Sequence, residues 1–379
     1  VSTTVLLDAT SIPADSGGVG RYLRELVPEL ARRDDLVLHV ACQRRDVAWL
    51  EHDAPSAVLH PVPESTTSVA RRLLWEQTAL PRLARRVRAD VVHSPHYTMP
   101  LLVRAARVVT LHDATFFSHP ELHGRLKGPF FRRWIRVAAR HADRCIAPSR
   151  ATADEVGRWA GTPSHPVAVS FHGVDTERYS PAGRRLEAEM RRELGLGDAP
   201  YLAFVGTIEP RKNVGPLLDA VTRLAERRPD LAPRLLLAGG RGWDDAAVAR
   251  LEGATPDDPW RWLGYVDERL LPAFLASSAL VAYPSVAEGF GLPVLEALAS
   301  GVPVVTTDRL AAPEVGGDVA VYCEPDADSL GRTLEALLDD EPRRTELGAR
   351  GRDRALTFTW RRTAAEHADV YTAAARSAS

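Results

Sequence analysis

Short, valine-rich apolar runs alternate with amphipathic helical segments twice over in this chain, and one polar stretch separates the two series. The first series is VLLDAT (5–10), LVLHVACQ (36–43), AVLHPV (57–62), DVVHS (90–94), RVVTLHD (107–113), RCIAPS (144–149) and PVAVSF (166–171). Helical patterns lie between several of them, at 18–33, 68–88, 126–141 and 150–160. The second series is YLAFVGT (201–207), RLLLAGG (234–240), WRWLGYV (260–266), ALVAYPS (279–285), VPVVTT (302–307) and AVYCEP (320–325). Runs this short, apolar on both faces, predict buried parallel strands in βαβ units. The stretch 172–199 carries Gly173, Pro181, Gly183, Gly195 and Gly197 and reads as a linker with one charged helix near 184–194.

The expected fold class is therefore α/β, with two Rossmann-like parallel-sheet domains facing across a cleft. The expected boundaries are 1–175, 176–358 and a final helix within 359–379, which is free to pack back on the first domain. Ligands of open parallel sheets sit outside the carboxyl ends of the strands, so the loops that follow strands carry the search for a site.

A length of 379 residues fits about two domains. The formal charge of −2 supplies no basic field for nucleic acid. Cys42, Cys145 and Cys323 are widely spaced and form no CxxC pair, which argues against a disulfide framework or a zinc site. A cytoplasmic protein is expected: Asp8 interrupts the only early apolar run, and no run of about 18 apolar residues is present to span a bilayer. Of 48 basic residues only Lys127 and Lys212 are lysines. A compact ammonium kept in so arginine-rich a chain points to a place where a guanidinium does not serve.

The most informative segment is PSVAEGFGLPVLEALASGVPVV (284–305), between a strand and a helix. Pro293 suits a first helical turn and Gly301 a stop. Amides around Gly289, Phe290, Gly291 and Leu292 would then face outward at a helix N-terminus, a ready site for a diphosphate. Glu288 and Glu296 bracket that turn, and carboxylates accept hydrogen bonds from the vicinal hydroxyls of ribose and sugar. Either alone could be a loop charge or a helix-dipole partner; the pair in a glycine-rich setting favours a ligand. In GTIEPRKN (206–213), Arg211 and Lys212 follow a strand and could neutralise a departing nucleoside diphosphate, the alternative being a solvated pair.

DSGGVGRY (15–22) offers Gly17 and Gly18 for close approach to phosphate or sugar, or a plain tight turn. It is not GxGxxG, and no acidic residue ends the second strand, which disfavours a dinucleotide oxidoreductase. His112 and Asp113 end the run RVVTLHD; the imidazole could bond a donor hydroxyl, position the acceptor, or be satisfied by a nearby carbonyl. His96 and Tyr97 lie in the loop after DVVHS, in an acceptor-loop or structural role; His93 and His96 suit no standard zinc spacing. Asp326-Ala-Asp328 spells DxD but opens a helix, so N-capping is the better reading and no essential metal is expected. The basic, aromatic segment 123–144 fits contact with an anionic membrane or lipid-linked acceptor, and more simply a helix with an apolar core face.

Taken together, GGVGRY (17–22), WEQTALP (75–81), HSPHYTMP (93–100), LHDATFFSHPE (111–121), EPRKN (209–213) and 283–305 resemble glycosyltransferase family 4, in its mannosyltransferase B-like branch. The likeness covers nearly the whole chain and includes the family's two glutamates with seven residues between them, here Glu288 and Glu296. It implies a GT-B fold and a retaining transfer of a hexose from a nucleotide sugar to a hydroxyl acceptor, with no cofactor. It further implies Glu296 on the ribose, Glu288 on the donor sugar and Arg211 and Lys212 on the diphosphate. Phe290, Gly291 and Leu292 would supply donor-sugar contacts through their backbone, and Gly264, Tyr265 and Val266 would lie against the base. His112 would sit near the reaction centre and Gly17 and Gly18 on phosphate or sugar. Many relatives carry an arginine soon after the glycine of the second domain's first strand; here Thr207 follows Gly206.

The resemblance leaves GDP-mannose and a UDP-sugar as rival donors. A glycan, a lipid-linked glycan and a small natural product remain rival acceptors, the lipid-linked case placing the chain peripherally at the inner face of a membrane. A catalytically silent nucleotide-sugar-binding partner is the rival from outside enzymology, against which the intact charged set argues. The oligomeric state stays open.

Overall fold

The computed structural model describes residues 2–12, 18–123 and 127–378. The chain divides into two compact units, one of Val1–Gly173 with Thr359–Ser379 and one of Val174–Phe358.

The first unit holds β1 (Thr3–Asp8), β2 (Leu36–Cys42), β3 (Val58–Pro61), β4 (Val91–Ser94), β5 (Ala106–Thr110), β6 (Arg144–Ala147) and β7 (Ala168–Val169). Their order across the sheet is β3-β2-β1-β4-β5-β6-β7. The second unit holds β8 (Leu202–Val205), β9 (Leu235–Ala238), β10 (Trp260–Gly264), β11 (Leu280–Tyr283), β12 (Val304–Thr306) and β13 (Val321–Tyr322), in the order β10-β9-β8-β11-β12-β13. All the described pairings are parallel. The central strands β8, β9 and β11 are buried along their whole length, which is why they read as continuous apolar runs without alternation.

Both sheets start at a middle strand, grow outward to one side, then cross back and grow to the other. The reversal falls between β1 and β4 in the first unit and between β8 and β11 in the second. Loops leaving the carboxyl ends at such a reversal diverge and leave a crevice.

Two elements differ in extent from the sequence reading. The ladder of RVVTLHD stops at Thr110, which pairs with Ile146, and Leu111 makes the last backbone link, to the Ile146 carbonyl at 2.8 Å. Asp113 then accepts from Thr115 N at 3.2 Å and turns the chain, so His112 and Asp113 stand in a loop rather than at a strand end. The linker helix is shorter, Glu187–Glu193, because Pro181–Leu186 before it is wound as a 3-10 turn.

The helix Trp360–Ala378 belongs to the first unit. A hydrogen-bond chain stitches it to the sheet: Tyr371 Oη to His93 Nδ1 at 2.8 Å, His93 Nε2 to Thr110 Oγ1 at 2.8 Å, Thr110 Oγ1 to Tyr22 Oη at 3.2 Å and Tyr22 Oη to His367 Nε2 at 2.7 Å. It ends where His367 Nδ1 meets the Thr363 carbonyl at 2.8 Å. A carbonyl only accepts, so His367 carries its proton on Nδ1 and its Nε2 must receive the Tyr22 proton. Thr110 then donates to Tyr22, His93 donates through Nε2, and Tyr371 donates to His93. One direction satisfies every member with neutral imidazoles. The chain draws on β4, β5 and the helices Gly18–Ala31 and Trp360–Ala378.

Candidate active site

At the reversal point of the second sheet, β8 leads through a 3-10 turn, Pro210–Lys212, and a left-handed Asn213 into the helix Val214–Arg227. β11 leads through residues 284–291 into the helix Leu292–Ala299. The two loops are tied together: Val286 N donates to the Arg211 carbonyl at 2.8 Å, and Ser285 Oγ lies 2.9 Å from the same oxygen. From β12, Thr306 Oγ1 donates to the Tyr283 carbonyl at 2.8 Å, and Thr307 Oγ1 donates to the Ser285 carbonyl. Side chains on these loops are therefore held from three strands.

Their centre is the Glu288 carboxylate, buried at 9% exposure. Its Oε2 accepts from Arg211 at 2.7 Å, and its Oε1 accepts from Lys212 Nζ, from Tyr283 Oη at 2.9 Å and from Ser285 Oγ at 2.7 Å. Burial would raise this carboxyl, but Arg211 and Lys212 outweigh it and hold Glu288 down at about 2. Burial, then the neighbouring Arg211, lowers Lys212, while Glu288 and Glu209 pull it back toward the charged form. Its Nζ also lies 4.7 Å from the centre of the Tyr283 ring. Glu209 completes the set by accepting from Arg211 Nε at 2.7 Å. The arrangement holds two cations around one fixed carboxylate.

The adjoining helix Leu292–Ala299 begins at Gly291, whose φ of +102° puts it in the left-handed region where a side chain is strained, and no side chain caps it. Glu296 lies in the second turn of this helix and is buried at 2% exposure. Phe290 is buried against Phe358. At the far edge of the same sheet, Gly264 ends β10 with φ +68°, Tyr265 is 67% exposed and Val266 is buried. Three strand spacings separate β10 from β11, roughly 14 Å. The structure thus brings Arg211, Lys212 and Glu288 into contact, sets Gly289, Phe290, Gly291, Leu292 and Glu296 beside them, and leaves Gly264, Tyr265 and Val266 at the other end of the carboxyl edge.

In the first unit, Gly17 lies outside the described residues and Gly18 opens the helix Gly18–Ala31. His112 Nε2 donates to the Pro95 carbonyl at 2.7 Å, and its ring packs edge-on against Tyr22. That bond puts the proton on Nε2 and makes Nδ1 the acceptor. His96 and Tyr97 sit in a turn where Tyr97 has φ +59°. His96 is held neutral, its pKa pushed down to about 3 by burial and then by His112. Its Nδ1 is buried with no hydrogen-bond partner among the described residues.

Two family models match the chain and between them take in every strand but β1: "Glycosyltransferase Family 4" over residues 16–178 and "Glycosyl transferases group 1" over residues 187–354. The O-antigen chain mannosyltransferase B of Escherichia coli is 29% identical over 93% of this chain and 95% of its own length. The chain belongs to glycosyltransferase family 4. Other family resemblances run equally long. A D-inositol 3-phosphate glycosyltransferase of Corynebacterium diphtheriae is 28% identical over 94% of this chain and 90% of its own. Among solved structures, Anabaena HepE in complex with UDP and glucose superposes with a TM-score of 0.74 at 21% identity, over 97% of this chain and 99% of that one. The enzyme is a nucleotide-sugar glycosyltransferase of GT-B type, an α/β protein with two Rossmann-like units.

Three members of the charged centre of this transferase were not picked out from the sequence: Glu209, Tyr283 and Ser285. Tyr283 carried the only available signal, a phenol at the end of an otherwise aliphatic buried strand, where its hydroxyl must find a partner. The DxD string is spent on structure. Asp326 accepts from Ser329 N at 2.8 Å as the N-cap of the helix Ala327–Leu338, and Asp328 pairs with Arg223 at 2.7 Å. Asp326→Ala is therefore expected to cost about 1 kcal/mol of stability through the lost cap and to leave sugar transfer unchanged, as read by urea unfolding and turnover. A cavity of about 330 Å³ opens at the amino edge of the second sheet, lined by Tyr201, Arg234 and Trp260. Parallel sheets do not deliver their catalytic loops to that edge, so it is not the donor site.

Proposed function

We propose that the enzyme transfers mannose from GDP-mannose to a hydroxyl acceptor with retention of configuration and without a metal. The single observation that carries the donor site is the Glu288 carboxylate held between Arg211 and Lys212 at the reversal of the second sheet. End-to-end similarity to a mannosyltransferase favours the sugar. In this reading the diphosphate lies on Arg211, Lys212 and the backbone of Gly289, Phe290, Gly291 and Leu292. Glu296 takes the ribose, residues 264–266 the base, and Glu288 the sugar hydroxyls.

With no carboxylate assigned as a nucleophile, substitution proceeds on the front face. The acceptor oxygen bonds to the anomeric carbon as the carbon–phosphate oxygen bond breaks. The acceptor proton passes to the departing diphosphate, whose charge Arg211 and Lys212 stabilise. Were the acceptor lipid-linked, Arg133, Arg136 and Arg140, exposed on the helix Lys127–His141, would be the face toward an anionic bilayer. No helix among the described residues is long and apolar enough to cross a membrane.

HepE, solved with UDP and glucose, favours the second reading, a UDP-sugar donor. A ligand that binds only the folded state at 100 times its Kd stabilises it by about 2.7 kcal/mol. That corresponds to roughly 5–10 °C in the midpoint of a unit this size. GDP is expected to shift the midpoint further than UDP at equal concentration; the reverse ranking rejects GDP-mannose.

A further inference from the structure

The four donors to Glu288 are divided unequally between its oxygens. Oε1 receives Lys212, Tyr283 and Ser285, whereas Oε2 receives Arg211. The two hydroxyls differ as well. Ser285 has one proton and two acceptors in reach, Glu288 Oε1 at 2.7 Å and the Arg211 carbonyl at 2.9 Å. Tyr283 has no such choice. Lys212 Nζ is a pure donor and points at Tyr283 Oη, so the phenol accepts from the lysine and its own proton must go to Glu288. The ring is fully buried in the last residue of β11, and the Tyr283 carbonyl is held by Thr306, so this donor cannot swing away. Burial, then Glu288, keeps the phenol well above its ordinary pKa, so the proton is always present.

When a diphosphate takes Arg211, Oε2 loses its partner while Oε1 keeps three. We propose that Tyr283 is a positioning residue for the transfer: it pins Oε1 of Glu288 so that Oε2 alone exchanges the Arg211 guanidinium for a hydroxyl of the donor sugar. Phosphate recognition and sugar recognition are thereby linked, because the sugar's acceptor oxygen is released only when phosphate has claimed the arginine. The inference rests on the reading of Glu288 as the donor-sugar contact and adds the group that aims it.

The test is titration calorimetry of wild type, Tyr283→Phe, Ser285→Ala and Glu288→Gln with GDP, GDP-mannose, UDP and UDP-glucose. The readout is the ratio of sugar-nucleotide to nucleotide affinity within the tighter-binding pair. Tyr283→Phe is expected to leave the nucleoside diphosphate within about twofold and to lower the ratio roughly tenfold, the usual effect of removing a hydrogen bond to a charged group. Ser285→Ala, whose proton is shared, is expected to lower the ratio less. Equal weakening of nucleotide and sugar nucleotide in Tyr283→Phe would mean the phenol only supports the fold, and the proposal fails. It fails too if the ratio falls in Glu288→Gln but not in Tyr283→Phe, an outcome that leaves the sugar role of Glu288 standing. An unchanged ratio in Glu288→Gln, or no binding of any of the four by wild type, removes that role and the inference with it. Should Tyr283→Phe not fold, 3-fluorotyrosine at the same position keeps the ring and strengthens the donor; a lowered ratio there overturns the proposal.

Discussion

Lys212→Ala is expected to lower kcat for sugar transfer by about 10²–10³ while the protein remains folded, the range seen when one preorganised stabiliser of developing charge is removed. The expectation follows from where the ammonium sits. It is buried at 6% exposure, against the Tyr283 ring and beside Glu288. Charge on the departing diphosphate grows during the reaction, and a desolvated cation acts on it far more strongly than a solvated one. The fold survives because Glu288 still accepts from Arg211, Tyr283 and Ser285 after the lysine is gone. Lys212→Arg is expected to recover little, because a planar guanidinium cannot take the place of a compact ammonium packed over a buried ring. Glu288→Ala is expected to lose activity too, and more stability, since it leaves two cations facing each other. Turnover of GDP-mannose, alongside thermal midpoints, separates the cases. Wild-type kcat in folded Lys212→Ala would remove the lysine from the leaving-group role.

Much of this centre is legible in the sequence, and the part that is not has a physical reason. Parallel strands buried on both faces leave no alternation but do leave sharp ends, so β8 and β11 and the loops after them could be located from apolar runs and glycines alone. The rarity of lysine singled out Lys212, and the paired glutamates singled out Glu288. That the three charges touch one another could not be read, because it depends on β8 and β11 being neighbours across a crossover of more than 70 residues, a property of strand order. Tyr283 and Ser285 were hidden for the same reason: each matters through the proton it offers to a residue on the neighbouring loop. The sequence carries the strand past Thr110 because Leu111 prolongs the apolar run, while the turn is made by Asp113 accepting from Thr115 N.

The first unit should lose stability steeply as pH falls from 7 toward 5, and the cause is buried imidazole. His93, His172 and His367 are each at most 5% exposed. Burial puts His93 and His172 well below the ordinary 6.5 and His367 at about 4, with His96 at about 3 and His112 also lowered. In the unfolded chain all of them take protons near 6.5, and in the folded chain they do not until the pH is far lower. The unfolded state therefore binds more protons below 6.5, and stability falls as pH drops, by about 1.4 kcal/mol per pH unit for each such histidine. Three carboxyls oppose this. Burial, then Asp8, raises Glu76 to about 7, and burial raises Asp8 and Glu155, so all three gain protons first in the folded state. The buried imidazoles outnumber these carboxyls, so the net slope keeps the sign the imidazoles set. His367→Gln isolates one contribution. Its amide can accept from Tyr22 and donate to the Thr363 carbonyl as the neutral ring does, without a proton to gain, so the slope should fall by about 1.4 kcal/mol per pH unit. Urea unfolding in a pH series from 7.5 to 5 measures both slopes. A wild-type stability that stays level in that range, with no change of slope in His367→Gln, would show that His367 takes its proton in the folded protein as it does unfolded, and that the directed chain from Tyr371 to Thr363 is wrongly assigned.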